Sequence, residues 1–215
     1  MDEDAQAQSF DYLTGDDVPL IVITKNNECP AILKNIAEEK NFPILRTCLK
    51  TSRFIAKITT YLDEKLAPSQ CFHGVLVSVF GKGILIRGES GLGKSEIALE
   101  LILRGHQLVA DDRVDCYRIH NSIIGKAPEL LRDMLELRGV GVINVARMFG
   151  VSSVAEKTKI DFQVTLEQWD RNREYDRVGI EERKYEDILG IKIPKIVVPI
   201  REGRSMAVVI ETAVT

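Results

Sequence analysis

The sequence predicts an α/β fold with a mixed sheet around a phosphate-binding loop, and three observations lead there. From Pro19 onward, apolar runs of strand length alternate with segments of helical periodicity. GVLVSVFGKGILIRG alternates apolar and polar positions around Gly-Lys-Gly and reads as a β-hairpin. GESGLGKS, Gly88 to Ser95, satisfies GxxxxGK[ST] in full and falls between the strand-like ILIR and the helical KSEIALELILRG.

The elements follow in order. The first eighteen residues read as unstructured. LIVIT is a strand, AILKNIAEEK a short helix with Pro30 suited to its first turn, and FPILRT a second strand. Thr51 is placed to cap the next helix, in which Phe54, Ile58, Tyr61, Leu62 and Leu66 share one stripe before Pro68 ends it. After the hairpin and the loop helix, closed by Gly105, come the strand QLVADD and the β-rich RVDCYRIHNSIIGKA, with a turn at His120-Asn121. PELLRDMLE reads as a short helix, VGVINV and IDFQVTL as strands. EQWDRNREYDRVGIEERKYEDILG reads as an exposed charged loop with a short helical portion, KIVVPI as a last strand, and GRSMAVVIETAVT as a helix that stops at Thr215. The boundaries expected are 1–67, an unstructured start with part of an N-terminal α/β domain, and 68–215, a domain built on the loop.

Composition narrows the function. With 215 residues and 45% hydrophobic content the chain can bury a real core. A net charge of −3 and scattered basic residues give no footprint for nucleic acid. No apolar run reaches the ~18 to 20 residues of a membrane span, so a cytoplasmic protein is expected. Cys29, Cys48, Cys71 and Cys116 form no CxxC pair and are expected as reduced, mostly packed thiols.

The chemistry rests on the loop. Its backbone N–H groups and the following helix N-terminus converge on anionic oxygens. Gly88, Gly91 and Gly93 permit the tight backbone, Lys94 would reach the β- and γ-phosphates, and Ser95 would offer a hydroxyl to Mg²⁺. The plain alternative is a glycine turn that caps a helix. LVADD ends in two carboxylates, Asp111 and Asp112, where such proteins hold their metal. Neighbours on a regular strand point to opposite faces, so the pair implies divided labour, and a poised carboxylate can take a hydroxyl proton and return it. ELRGVGVIN taken alone reads as a plain turn and strand, yet its Glu-x-Arg-Gly start sets the Glu136 carboxylate beside the Arg138 guanidinium. His73 and Arg177 are, taken alone, ordinary surface or packed residues.

Together His73-Gly74, GESGLGKSE, GHQLVADD, ELRGVGVIN and PIREGR resemble bacterial HPr kinase/phosphorylases over nearly the whole chain from Pro19. The resemblance implies a core like that of phosphoenolpyruvate carboxykinase, and Mg²⁺-dependent transfer from ATP, or from pyrophosphate, to a seryl hydroxyl of the phosphocarrier HPr. It also implies the phosphorolytic reverse, in which inorganic phosphate yields pyrophosphate. It assigns Gly88, Glu89, Ser90, Gly91, Leu92, Gly93, Lys94 and Ser95 to the nucleotide phosphates, with Lys94 also catalytic. Ser95 and Glu136 become Mg²⁺ ligands, Asp112 the proton acceptor and, in reverse, donor. His73, Asp111 and Arg177 are placed at the active site. Leu135 to Asn144 match a segment used in both reactions, Pro199 to Arg204 one used mainly in dephosphorylation. A role in carbon catabolite repression and a homo-hexamer are implied, and against the family pattern the chain is expected to be truncated at both ends. The competing readings are a nucleotide-sensing module without turnover and a small-molecule kinase on the same core.

Overall fold

Strands buried on both faces carry the core, and their sequences say why. The computed structural model describes residues 3–169, 184–201 and 203–214 and separates into two units, Met1–Lys65 and Leu66–Thr215.

The first unit contains α1 (Glu3–Leu13), β1 (Ile21–Ile23), α2 (Ala31–Glu39), β2 (Ile44–Arg46) and α3 (Thr51–Lys65). β1 and β2 pair in parallel from Ile21↔Ile44 to Ile23↔Arg46. α1 corrects the expectation of an unstructured start. A cation beyond α2 holds its end: Lys40 Nζ lies 2.6 Å from Asp11 Oδ1 and donates to the Asp11 carbonyl and Thr14 Oγ1. α2 buries Leu33 and Ala37, whereas α3, despite its apolar stripe, buries none of its residues. Thr51 is the first residue of α3 rather than its cap, and its hydroxyl pairs with that of Thr24 at 2.6 Å.

The second unit opens with β3 (Ser69–His73), β4 (Val75–Val79), β5 (Lys82–Gly88), α4 (Lys94–Leu103) and β6 (Gln107–Ala110). β7 (Arg113–Ile119), β8 (Ser122–Lys126), β9 (Met134–Leu137), β10 (Gly141–Asn144) and α5 (Val145–Phe149) follow. β11 (Lys157–Gln168), β12 (Lys184–Ile188), β13 (Ile191–Ile200) and α6 (Met206–Val214) complete it. One layer runs β12–β13–β11–β5–β4–β6, with β4 and β12 antiparallel to the rest. A second layer, β3–β7–β8, joins it through β11, whose Lys157–Lys159 pair with β8 before the register shifts between Ile160 and Phe162. The sheet is therefore mixed and curls on itself.

The period of two sorts the core. Val75, Val77, Val79, Ile84 and Ile86 face α4 and α6 with Ile97, Leu101, Ala207 and Ile210, while Leu76 and Leu85 face Val114, Cys116 and Ile123 of the second layer. The hairpin turn lies at Phe80-Gly81, a residue earlier than Gly-Lys-Gly suggests, because Lys82 pairs with Val79. PELLRDMLE is not a helix: only Glu129–Leu131 form a 3-10 turn, and Met134–Leu137 are drawn into an antiparallel pair with β10. KYEDI, expected in a partly helical loop, is strand β12 because β13 supplies its ladder. Of the cysteines, Cys116 alone is buried, its thiol pushed up to about 12 by that burial; Cys48 and Cys71 are exposed and Cys29 half-buried, which corrects the packed reading. No helix among the described residues is long and apolar enough to cross a membrane.

A polar clamp seats α6 on α4. Glu211 Oε1 accepts from Arg104 Nε at 2.8 Å and lies 2.7 Å from the buried His106 Nε2, whose ring meets Phe80 edge-on at 4.8 Å. Hydrogen bonds from Arg104 first, then His106, hold the Glu211 carboxyl down at about 2. Because the ionised form is the one the fold favours, Glu211→Gln should lower the thermal unfolding midpoint at neutral pH. The deficit should shrink as pH falls below the ordinary 4.5 toward about 2, as melts across that range would measure.

Candidate active site

Strand direction gathers the site. β5 and β6 run parallel and end at Gly88 and Ala110, while β4 between them runs the other way and begins at Val75, paired with Ile86. The end of β5 holds the glycine loop, the end of β6 the two aspartates, and the start of β4 follows His73-Gly74. Three remote sequence blocks thus meet at one edge, where open α/β sheets place ligands.

The loop keeps its shape through left-handed glycines and its own lysine. Gly91 and Gly93 have φ of +94° and +77°, and Gly93 is the N-cap of α4. Lys94, 8% exposed, turns back to donate to the carbonyls of Gly88 at 3.0 Å and Glu89 at 2.9 Å. A Cβ on Gly91 would come within 3.2 Å of the Arg138 guanidinium nitrogens, so Arg138 lies against the loop. The cleft encloses about 180 Å³ and is lined by Ser90, Gly91, Gly93, Lys94, Ser95 and Glu96 together with His73, Asp111, Asp112, Glu136 and Arg138.

The two aspartates share that cleft in unlike settings. Asp111, 5% exposed, accepts from Ser95 Oγ through Oδ1 and from the Glu136 backbone N–H through Oδ2, each at 2.9 Å. Burial raises its pKa, and those two hydrogen bonds, with one from the Asp112 backbone, oppose the rise. Asp112 has φ +64°, and the Arg113 N–H donates to the Asp111 carbonyl at 2.7 Å, which closes a γ-turn around it. A regular strand would have sent the pair to opposite faces; the turn sends both into the cleft. The Asp112 carboxylate stays 63% exposed, with Oδ1 3.0 Å from Nδ1 of His73. The Gly74 N–H donates to the Asp112 carbonyl at 3.0 Å.

Hydroxyl, carboxylates, ammonium, guanidinium and loop amides in one cleft suit a phosphate ester and a hard cation. A model of the HPr Serine kinase N terminus matches residues 1–62, and one of the HPr Serine kinase C-terminal domain matches residues 64–215. The chain belongs to the HPr serine kinase family. An HPr kinase/phosphorylase of Clostridium perfringens is 45% identical over 213 residues, 99% of this chain and 69% of that protein. One from Geobacillus kaustophilus is 45% identical over 205 residues, 95% and 66% of the two chains. The solved Hpr(Ser) kinase/phosphatase from Coxiella burnetii matches with a TM-score of 0.63 at 36% identity, over 67% of this chain and 88% of that one. The C-terminal domain of this HPr serine kinase family member contains every residue that lines the cleft.

Not every expected residue is gathered. Arg177 lies outside the described residues. Leu92 packs on the core rather than lining the cleft, Glu89 offers only its carbonyl to Lys94, and no described residue of Pro199 to Arg204 lines the cleft. Glu96 also lines the cleft without a role of its own in the sequence reading, and its place in the first turn of the loop helix is the signal that marks it.

Asp111 yields a test of the joint. A carboxyl whose folded pKa is raised is favoured in its protonated form, so a neutral amide escapes the burial penalty. Asp111→Asn should therefore unfold at neutral pH at or above the temperature of the unsubstituted chain. The two should converge as pH falls through the raised value toward 3.8, a comparison that calorimetry at several pH values makes directly.

Proposed function

We propose that this chain is a Mg²⁺-dependent HPr kinase/phosphorylase, transferring phosphate from ATP or pyrophosphate to a seryl hydroxyl of HPr and reversing the transfer by phosphorolysis. The observation that carries the reading is the exposed Asp112–His73 pair in the same cleft as the phosphate loop, with the buried Asp111 tying Ser95 to Glu136.

The donor set fits the cation. The Ser95 oxygen and the Glu136 carboxylate are hard ligands, and Asp111, already accepting the Ser95 proton, turns the hydroxyl lone pairs outward. When bound, Mg²⁺ supplies charge neutralisation at the phosphate oxygens.

The chain's own groups do the rest. Loop amides and Lys94 bind the phosphates, and Arg138, against Gly91, adds a planar cation that matches phosphate geometry. Asp112 accepts the seryl proton as the serine oxygen forms its bond to the γ-phosphorus and the bond to the β-phosphate oxygen breaks. His73, through Nδ1–H, holds the Asp112 carboxylate in place. In reverse, an oxygen of inorganic phosphate attacks the seryl-phosphate phosphorus, the P–O(Ser) bond breaks, Asp112 returns the proton to serine, and pyrophosphate leaves. The domain at 68–215 is the catalytic one in this reading, Arg177 and Pro199 to Arg204 belong to the active site, and the assembly is a homo-hexamer.

Asp112→Asn keeps the side-chain shape and removes the base. Transfer of labelled phosphate from ATP to HPr should fall by about 10²- to 10⁴-fold, with nucleotide affinity by calorimetry changing little. Transfer at the unsubstituted rate would remove Asp112 from the proposed role.

A further inference from the structure

Arg87 is the last residue of β5 before the first glycine of the loop, and it does not line the cleft. It lies instead beneath the corner that presents His73. Its guanidinium carbon sits 4.8 Å from the centroid of the Phe72 ring, a cation–π contact with the residue before His73. On the other side of His73, a Cβ added to Gly74 would stand 3.4 Å from Arg87 Cγ and 2.6 Å from the Ile86 carbonyl oxygen, so the corner rests directly on this strand. The free end of the guanidinium is tied down in turn. Nη1 lies 3.1 Å from Glu186 Oε1 on β12, and Lys195 Nζ on β13 holds the other Glu186 oxygen at 3.0 Å.

The corner acts on Asp112 through two contacts: the Gly74 N–H bound to its carbonyl and His73 Nδ1 facing its carboxylate. The geometry points to Arg87 as a positioning residue for phosphoryl transfer: anchored by Glu186, it buttresses Phe72 and Gly74 and so fixes the direction in which His73 meets Asp112. The inference rests on the reading of Asp112 as proton acceptor and adds to it a residue outside the cleft. A filler of similar volume would occupy the space without fixing the angle. A guanidinium held at both ends fixes it, because one rigid planar group meets the Phe72 ring and the Glu186 carboxylate together.

The test uses the full chain with ATP, Mg²⁺ and HPr. Arg87→Met keeps an unbranched stem and removes the cation; kcat for HPr phosphorylation should fall about tenfold while KM for ATP and HPr stays within about twofold. Arg87→Lys, which keeps a charge for Glu186 and for the ring, should recover most of the rate. The same Arg87→Met change made in His73→Ala should alter the residual rate by no more than about twofold, since the path to Asp112 is already cut. An equal loss in both backgrounds, or no loss in the unsubstituted background, would overturn the inference. Should Arg87→Met fail to fold, Glu186→Gln serves in its place, with a smaller loss expected that also vanishes in His73→Ala. If the unsubstituted chain transfers no phosphate to HPr, the proposed function falls and this inference with it; if it transfers and ignores these changes, the inference alone falls.

Discussion

The Asp111 carboxylate is the joint on which the cleft depends. One oxygen takes the hydroxyl of Ser95 from the phosphate loop, the other the backbone N–H of Glu136 from the β9–β10 hairpin. Without it, the loop helix and the hairpin would each lose a charged acceptor at the part-buried floor of the cleft, where such a hydrogen bond contributes about 1.5–3 kcal/mol. The burial that makes these bonds strong also penalises the charge, which raises the Asp111 pKa from its ordinary value even with both oxygens hydrogen-bonded. The joint is thus held under opposing tendencies, and a bound cation beside it would relieve the one that burial creates.

Around that joint the sheet supplies direction and the curl supplies a wall. Antiparallel β4 between parallel β5 and β6 is what returns His73-Gly74 to the edge where the loop and the aspartates emerge. β11 belongs to both layers, pairing with β8 at one end and with β5 and β13 along the rest, so the layer that bears β3 is covalently continuous with the one that bears the loop. α6 closes the opposite face of the main layer, fastened by the Glu211 clamp.

Much of this was legible in the sequence because the signals are local. The glycine spacing, the apolar alternation of the hairpin and the strand before the DD pair each state their own conformation. What escaped was set by partners remote in sequence. MLEL becomes a strand because GVIN lies beside it, and KYEDI because β13 does, in both cases against a charged or helical-looking composition. The two aspartates were expected to diverge, a sound rule for a strand, and they converge because the strand ends at Ala110 and a γ-turn at Asp112 replaces the regular alternation. The family resemblance singled out Asp112, which lines the cleft, yet neither it nor periodicity could mark Arg87, whose proposed role lies in what rests on it.

The γ-turn at Asp112 has one more consequence. A backbone at φ +64° admits asparagine and aspartate more readily than almost any other residue with a side chain, and it excludes branched ones. The position therefore filters side chains by conformation before chemistry selects among them. Glutamate, equally acidic but without that tolerance, is a poor substitute, while asparagine fits the chain and, in the proposed reaction, removes the base. If Asp112 is the proton acceptor proposed above, the conformationally easiest exit from catalysis is a change to the amide, and the way back is just as short.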